Sequence, residues 1–258
     1  MSIILFATDL HGNRASYDRL FSLDADAIVL GGDLLPYPLK RGGDLLEIQA
    51  GFVREYLAAK MKTRPCWWIP GNDDWAAAVA PLQECGTALH GNAVPFLDGL
   101  SIAGYGCVPV TPFGMKDYDR VDVPGWEPKQ LPKSCLWSSP AGIEEVSLQA
   151  VMDRASIEAD LDRLATLSDP AKTIYVVHTP PYATTLDRLL GGPTPIGSRA
   201  LKKFIEQRQP PLTLHGHVHE SSGVERLGRT IAVNPGDSRG RFRAARIDLS
   251  DLTVTKVV

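Results

Sequence analysis

The 258-residue chain has no long apolar run: no stretch approaches the roughly 18 residues of a membrane-crossing helix. It also lacks surplus basic charge. Lys and Arg number 27 against 30 Asp and Glu, a formal charge of −3. That argues against a bulk nucleic-acid binder, which presents a basic face. No basic leader precedes the apolar start Met1-Ser2-Ile3-Ile4-Leu5-Phe6-Ala7, and Asp9 and His11 cut it short. This start reads as a first strand and not as an export signal. Cysteine is sparse. Cys66, Cys85, Cys107 and Cys135 stand far apart and form no Cys-x-x-Cys. They read as reduced thiols, and with the missing leader they point to a cytoplasmic protein. Repeats, low-complexity tracts and linkers are absent too, so residues 1–258 read as one domain. A chain this long buries roughly 70–75% of its unfolded surface and needs no disulfide or structural metal for its core.

What is present is punctuation. Glycine (23) and proline (20) are above ordinary usage. They bracket short apolar, β-rich runs at 3–8, 27–30, 66–69, 172–177 and 212–214. Helical patterns lie between them. Asn13 caps one to about Leu23, and Asp44 with Glu47 forms a capping box opening another to about Lys62. Residues 75–85 form a third, and Gly86 suits its stop. Residues 144–167 read as one long helix, and 198–209 as a capped one with Leu201, Phe204 and Ile205 inward. Short strands follow at about 223–227, 230–234, 242–248 and 252–257. Two β-α-β-α-β passages closed by an antiparallel run predict an α/β fold of two packed sheets with helices outside. Residues 105–142 show no period and crowd Pro and Gly among Phe113, Tyr118, Trp126 and Trp137. A loop that long in a compact domain is functional or disordered, and the aromatics favour an ordered flap or a subunit interface.

Histidine is scarce at six, yet three fall at 215, 217 and 219. Apolar runs end in Asp9 and His11, in Asp33, in Asn72, in His178, and in His217 and His219, each flanked by Gly or Pro. Strand ends in open α/β sheets face a common crevice, so these side chains are expected to converge. All seven donate oxygen or imidazole nitrogen and none is a thiolate, which suits Mn2+, Fe or Zn2+. Seven ligands exceed one tetrahedral ion, whose sites hold three or four. Two ions sharing a carboxylate use them all, and such pairs serve phosphoryl displacement.

The ordered set Asp9-x-His11, Gly32-Asp33, Gly71-Asn72, His178 and Gly216-His217-x-His219 resembles the calcineurin-like metallophosphoesterase superfamily. The likeness spans residues 3–236. It extends to His178-Thr179-Pro180-Pro181, Leu186-Asp187, Gly197-Ser198, Leu214-His215-Gly216-His217-Val218-His219-Glu220 and Asn234-Pro235-Gly236. These stretches are most similar to the small prokaryotic phosphoesterases of that superfamily. The resemblance implies a four-layer α/β/β/α sandwich of two mixed sheets. It implies two divalent ions, Mn2+ foremost, with Fe, Zn2+ or Ni2+ as alternatives. Asp9, His11 and His219 would hold the first, Asn72, His178 and His217 the second, and Asp33 would bridge. A bridging hydroxide would attack phosphorus in line, with Asp33, Asn72, Asp73 and His217 as catalytic residues.

One departure matters. Many members carry histidine after the motif asparagine, where it protonates the leaving oxygen; here Asp73 stands there. An ionised Asp beside two cations is a poor acid. The expected activity is therefore phosphodiester hydrolysis on a small substrate with a good leaving group. A phosphomonoesterase or protein phosphatase on the same centre is the alternative; a non-catalytic scaffold and a one-metal hydrolase are others. Nucleic acid and membrane are not expected partners, and a homo-oligomer is left open.

Other residues carry paired readings. His90 is expected to be a structural hydrogen-bonding histidine. His215 either orients a ligand or packs. Asp74 either orients Asn72 or favours a helix N-terminus, and Asn13 and Arg14 mark either a helix cap or an anion site. Trp67 and Trp68 read as core on one face, and Asn234-Pro235-Gly236 as a turn under the site. Lys116, Arg120, Lys129 and Lys133 read as solvated loop charge with phosphate contact as the second choice.

Overall fold

A computed structural model describes residues 2–37, 44–128, 130–190 and 194–258. The chain runs from strand β1 (Ile3–Ala7) through helix α1 (Arg14–Ser22) to β2 (Ala27–Gly31). Helices α2 (Leu45–Phe52) and α3 (Ala58–Met61) follow, joined by a π-helical turn at Val53–Leu57. Next come β3 (Cys66–Ile69), α4 (Ala76–Val79) and β4 (Thr87–Ala88), then β5 (Asn92–Pro95), β6 (Ser101–Tyr105), β7 (Val108–Pro109) and β8 (Asp119–Arg120). A hairpin of β9 (Cys135–Ser139) and β10 (Gly142–Val146) precedes α5 (Leu148–Met152) and α6 (Ile157–Leu164). The chain ends with β11 (Thr173–Val177), α7 (Arg199–Arg208), β12 (Leu212–Leu214), β13 (Gly223–Leu227), β14 (Thr230–Asn234), β15 (Ala244–Asp248) and β16 (Thr253–Val257).

Two six-stranded mixed sheets result. One has the order β16-β15-β1-β2-β3-β4, with β1 to β4 parallel and β15 and β16 closing antiparallel. The other has the order β13-β14-β12-β11-β6-β5, parallel at its centre and antiparallel at both edges. Side-chain alternation assigns the faces. Ile4, Phe6, Val29, Ile69, Ile102, Ile174, Val176, Leu212 and Leu214 pack together as the layer shared by the two sheets. Leu5, Ala7, Ile28, Leu30 and Trp68 point the other way and pack with Tyr17, Leu20 and Phe52 of α1 and α2. Tyr175 and Val177 likewise meet α6 and α7, with the Tyr175 and Phe204 rings 4.9 Å apart. This is the α/β/β/α sandwich.

The caps act as expected. Asn13 accepts from Ser16 N, Asp44 from Leu46 N and Glu47 N, and Ser198 from Leu201 N. The helix expected to reach Lys62 runs to Met61, with the π turn inside it.

Three readings need correction. Residues 144–167 are not one helix. Glu144, Glu145 and Val146 pair with Trp137, Leu136 and Cys135 in the hairpin, and Ser147 and Ser156 each cap a separate short helix. The two serines accept from Ala150 N and Ala159 N and stop any helix from running through. Trp67 and Trp68 both pack, but on opposite faces, as neighbours in a strand must. Lys116 is not loop charge: its side chain is fully buried, and Nζ donates to Thr111 O (2.9 Å), Thr111 Oγ1 (3.1 Å) and Asp119 Oδ2 (2.6 Å). Arg120 also turns inward, donating to the carbonyls of Asp117 and Asp119. Lys129 lies outside the described residues, and Lys133 is exposed.

Strands β5 and β6 have no counterpart in the sequence reading. Ala103 and Gly104 lower the strand propensity of β6, but pairing with β11 on one side and β5 on the other overrides it. Among the described residues no helix is long and apolar enough to cross a membrane.

Candidate metal centre

Each residue picked out at a strand end stands at the C-terminal end of its strand. Asp9 and His11 follow β1, Asp33 follows β2, Asn72 follows β3, His178 follows β11, and His217 and His219 follow β12. The backbone there is unusual. Asp9 (φ 51°), His11 (φ 42°), Asp33 (φ 51°) and His217 (φ 66°) are all left-handed. Non-glycine residues adopt that region at a cost, and such positions gather at functional sites. The flanking glycines have a separate reason. A Cβ on Gly71 would collide with the Asp33 carboxylate, and one on Gly216 with Thr8 Oγ1 and Asp9 Oδ2.

The donor atoms converge. His219 Nε2 lies 3.1 Å from Asp9 Oδ1 and 3.4 Å from His11 Nε2. His11 Nε2 is 3.9 Å from Asp33 Oδ2, and His178 Nε2 is 3.4 Å from the same oxygen. One ligand atom from each of Asp9, His11, Asp33 and His219 falls within 4.8 Å of the other three. The His178 and His217 rings sit 5.4 Å apart, and His217 N donates to both Asp9 oxygens at 3.2 Å. His178 Nδ1 is held on Gly31 O at 2.8 Å, which turns Nε2 toward Asp33.

The buried carboxylates and imidazoles shift one another. Burial alone would raise the Asp33 carboxyl, but His178 and His11 hold it well below the usual carboxylate range. Burial opposes a charged His178, yet Asp33 outweighs it and lifts the imidazole to about 10. Asp9 is also lowered: burial raises it, and the bond from His219 and the charge on His178 prevail. Burial, then His178, pushes His217 down to about 3, so it stands neutral with a lone pair to offer. Burial raises Asp73 well above the ordinary value, and Asp33 and Asp74 push further. The expectation of a depressed Asp73 thus depends wholly on bound cations.

The residues fit a metal. Asn72 Oδ1 and His178 Nε2 are buried with no hydrogen-bond partner among the described residues. Buried polar atoms are rarely left so, and a place for an ion is one reason. Asn72 commits its amide nitrogen to Asp73 Oδ1 at 3.0 Å, leaving its oxygen free to ligate. Two imidazole nitrogens bound to one tetrahedral Zn2+-like ion sit about 3.3 Å apart, close to the 3.4 Å between His11 and His219.

The supporting residues resolve most of the paired readings. Asp74 accepts from Gly71 N (2.9 Å), Leu34 N (3.1 Å) and Leu35 N (2.8 Å), tying the Asp33 loop to the Asn72 loop. Neither reading given for it anticipates that. His215 is a packing residue: Nδ1 meets Val177 O at 3.0 Å and Nε2 meets Thr213 Oγ1 at 2.9 Å. His90 accepts from Gly106 N and stacks on Tyr105. Arg14 lies over Tyr56 and Phe52. Asn234 Nδ2 donates to Val218 O at 3.1 Å and so braces the His217–His219 turn. Asp237 and Arg239, both beside His219, escape the sequence reading. The available signal is Arg239, Arg241 and Arg243 alternating after the Asn234-Pro235-Gly236 turn in a net acidic chain.

Comparison with known proteins agrees with this arrangement. The calcineurin-like phosphoesterase family matches residues 3–221. The uncharacterized protein MJ1162 of Methanocaldococcus jannaschii is 25% identical over 237 residues, covering 90% of this chain and 87% of its own. The crystal structure of TT1561 from Thermus thermophilus superposes with a TM-score of 0.59 at 21% identity, covering 99% of this chain and 98% of that one. The phosphopantetheinyl hydrolase PptH of Mycobacterium tuberculosis gives a TM-score of 0.50 at 15% identity, covering 91% and 89%. With a match over most of its length and the donor cluster at its strand ends, the chain belongs to the calcineurin-like phosphoesterase family and is a metal-dependent phosphoric ester hydrolase.

Proposed function

We propose that the enzyme is a two-metal phosphodiesterase acting on a small substrate. The observation that carries this reading is the position of Asp33. Its Oδ2 faces His11 and, from another side, His178, whose Nε2 is buried without a hydrogen-bond partner among the described residues. Asp9, His11 and His219 would hold one cation, Asn72, His178 and His217 the other, with Asp33 shared. Mn2+ suits the oxygen and imidazole donors first, with Fe, Zn2+ or Ni2+ as alternatives. A pair of divalent cations supplies a water acidic enough to attack at neutral pH, and positive charge for the phosphoryl oxygens.

The chain's own residues do the rest. Gly31 O fixes the His178 tautomer, and Asp73 holds the Asn72 amide nitrogen, which leaves the amide oxygen for a cation. No imidazole follows Asn72 to protonate a leaving oxygen. This favours esters whose leaving group departs unprotonated, such as aryl or cyclic phosphodiesters. One observation favours a phosphomonoesterase or protein phosphatase instead. Burial and two neighbouring carboxylates raise Asp73, and a carboxyl that keeps its proton can donate it. Hydrolysis of an aryl phosphodiester and an aryl phosphomonoester by the Mn2+-loaded enzyme separates the two. The diester is expected to be preferred. A monoester preference that disappears in Asp73→Asn overturns the proposal. The same reading keeps the enzyme in the cytoplasm, in line with four free thiols, without nucleic acid as substrate and with room for a homo-oligomer.

A further inference from the structure

Residues 235–243 carry the chain from β14 in one sheet to β15 in the other and pass beside the metal centre. Their backbone is pinned there. Ser238 N donates to Asp9 O at 3.1 Å. Asn13 Nδ2 donates to Ser238 O (3.2 Å) and Arg239 O (2.7 Å), and Ser16 Oγ donates to Ser238 O (2.8 Å). The Arg239 side chain is 40% exposed and rests its guanidinium on His219, with Nη2 2.6 Å from Nδ1. Asp237 Oδ2 lies 3.9 Å from that same Nδ1 and 3.6 Å from Arg239 Nη2. A donor and an acceptor thus face one ring nitrogen.

The two make opposite demands on the ring. A guanidinium has hydrogens only to give, so Nδ1 accepts from Arg239 and the ring hydrogen stands on Nε2, facing Asp9 Oδ1 at 3.1 Å. An imidazole that ligates through Nε2 needs its lone pair there and carries its hydrogen on Nδ1. Nδ1 then cannot accept from Arg239. It needs an acceptor, and Asp237 is within reach. Ligand histidines ordinarily give their second N–H to a carboxylate or carbonyl, which fixes the tautomer.

We propose that Arg239 is a substrate-binding residue released when the site takes metal: Asp237 accepts the His219 Nδ1 hydrogen, and the freed guanidinium grips a phosphoryl oxygen of the substrate. The proposal rests on the two-metal reading above. Guanidinium geometry matches phosphate. Three other cations are engaged elsewhere: Arg14 lies over Tyr56, Lys116 bonds Asp119, and Arg120 bonds backbone carbonyls. Coupling the release to metal keeps the anion site closed until the centre is loaded.

Full-length protein tests this with three readouts. Calorimetric titration measures Mn2+ binding, and then binding of inorganic phosphate to the loaded protein. Arg239→Gln is expected to bind Mn2+ at least as tightly as the wild type and phosphate about tenfold or more weakly. Asp237→Asn is expected to bind Mn2+ about 10–100-fold more weakly. Long-range proton–nitrogen correlation spectra are expected to place the His219 hydrogen on Nε2 after EDTA treatment and on Nδ1 in the Zn2+-loaded protein. Unchanged phosphate affinity in a loaded Arg239→Gln protein overturns the proposal, as does an Nε2 hydrogen that persists with Zn2+. A wild type that binds no Mn2+ overturns the two-metal reading instead. If Asp237→Asn fails to fold, the other variant and the tautomer still decide.

Discussion

Four residues of the centre occupy left-handed backbone, and each bears a conformational cost for the direction in which its side chain points. That cost is tolerable only if the side chains act together. Asp33→Asn keeps shape but removes the negative charge that the proposed two-metal centre shares, and His217→Ala removes one of its proposed donors. Each is expected to lower hydrolysis roughly 100-fold or more without unfolding the protein, as circular dichroism checks. Retained activity in both variants would sink the two-metal reading. His215 gives a prediction of a different kind. Burial pushes its imidazole down to about 4, against about 6.5 in an unfolded chain. Between those values the unfolded chain binds a proton that the folded chain refuses. Stability from this residue is therefore full above about pH 6.5 and falls as pH drops toward 4, by about 3 kcal/mol in all. Urea unfolding of EDTA-treated protein at pH 7 and pH 4.5 checks it: His215→Asn should lose less between the two than the wild type. Equal losses would place the acid sensitivity in other groups. At this scale the four clustered donors Asp9, His11, Asp33 and His219 are legible from residue type and spacing. Asp237 and Arg239 are not, because their meaning depends on which ring nitrogen they face.

Strand ends and caps are local, and the sequence reading of them holds well. Asn13, Asp44 and Ser198 start helices where expected because a side-chain oxygen satisfies the first free N–H groups. The reading fails where pairing partners are distant. β6 becomes a strand because β11, far along the chain, pairs with it, whereas β10 escapes the pattern despite a near partner, β9, joined to it by a two-residue turn. In the segment between β6 and β10 it is burial, not distance along the chain, that residue type conceals. Lys116 is spaced like a surface residue, yet it is buried against Asp119, whose carboxyl is raised by burial and pulled back by Lys116. Lys116→Met should cost about 3–5 kcal/mol, since it leaves a buried carboxylate unpaired. The double change Lys116→Met with Asp119→Leu should cost less than the single one. Chemical denaturation compares them, and a single variant within about 1 kcal/mol of wild type would show that the pair does not hold the segment together.

For the whole molecule, two sheets bring carboxylates and imidazoles from opposite ends of the chain into one crevice. Metal should therefore stabilise the fold as well as activate it. At a Mn2+ concentration about 100 times the dissociation constant, linkage gives about 2.7 kcal/mol, a rise of roughly 5 °C or more for a chain of this size. A melt with and without EDTA measures it, and Asp33→Asn should lose most of the rise. A wild type whose melting temperature ignores Mn2+ would contradict a metal site built into the sandwich. The sequence by itself determined the donor types, their order, and their station at the ends of apolar runs, because alternation, caps and turn residues are short-range physics. It also holds no apolar run long enough to span a membrane. Only the tertiary structure decided which atoms meet. Asp9 and His219 are 210 positions apart yet lie 3.1 Å from each other, and that separation is closed by the pairing and packing of two sheets. The same packing leaves Asn72 Oδ1 and His178 Nε2 without hydrogen-bond partners among the described residues and sets Arg239 against Asp237 across a single imidazole.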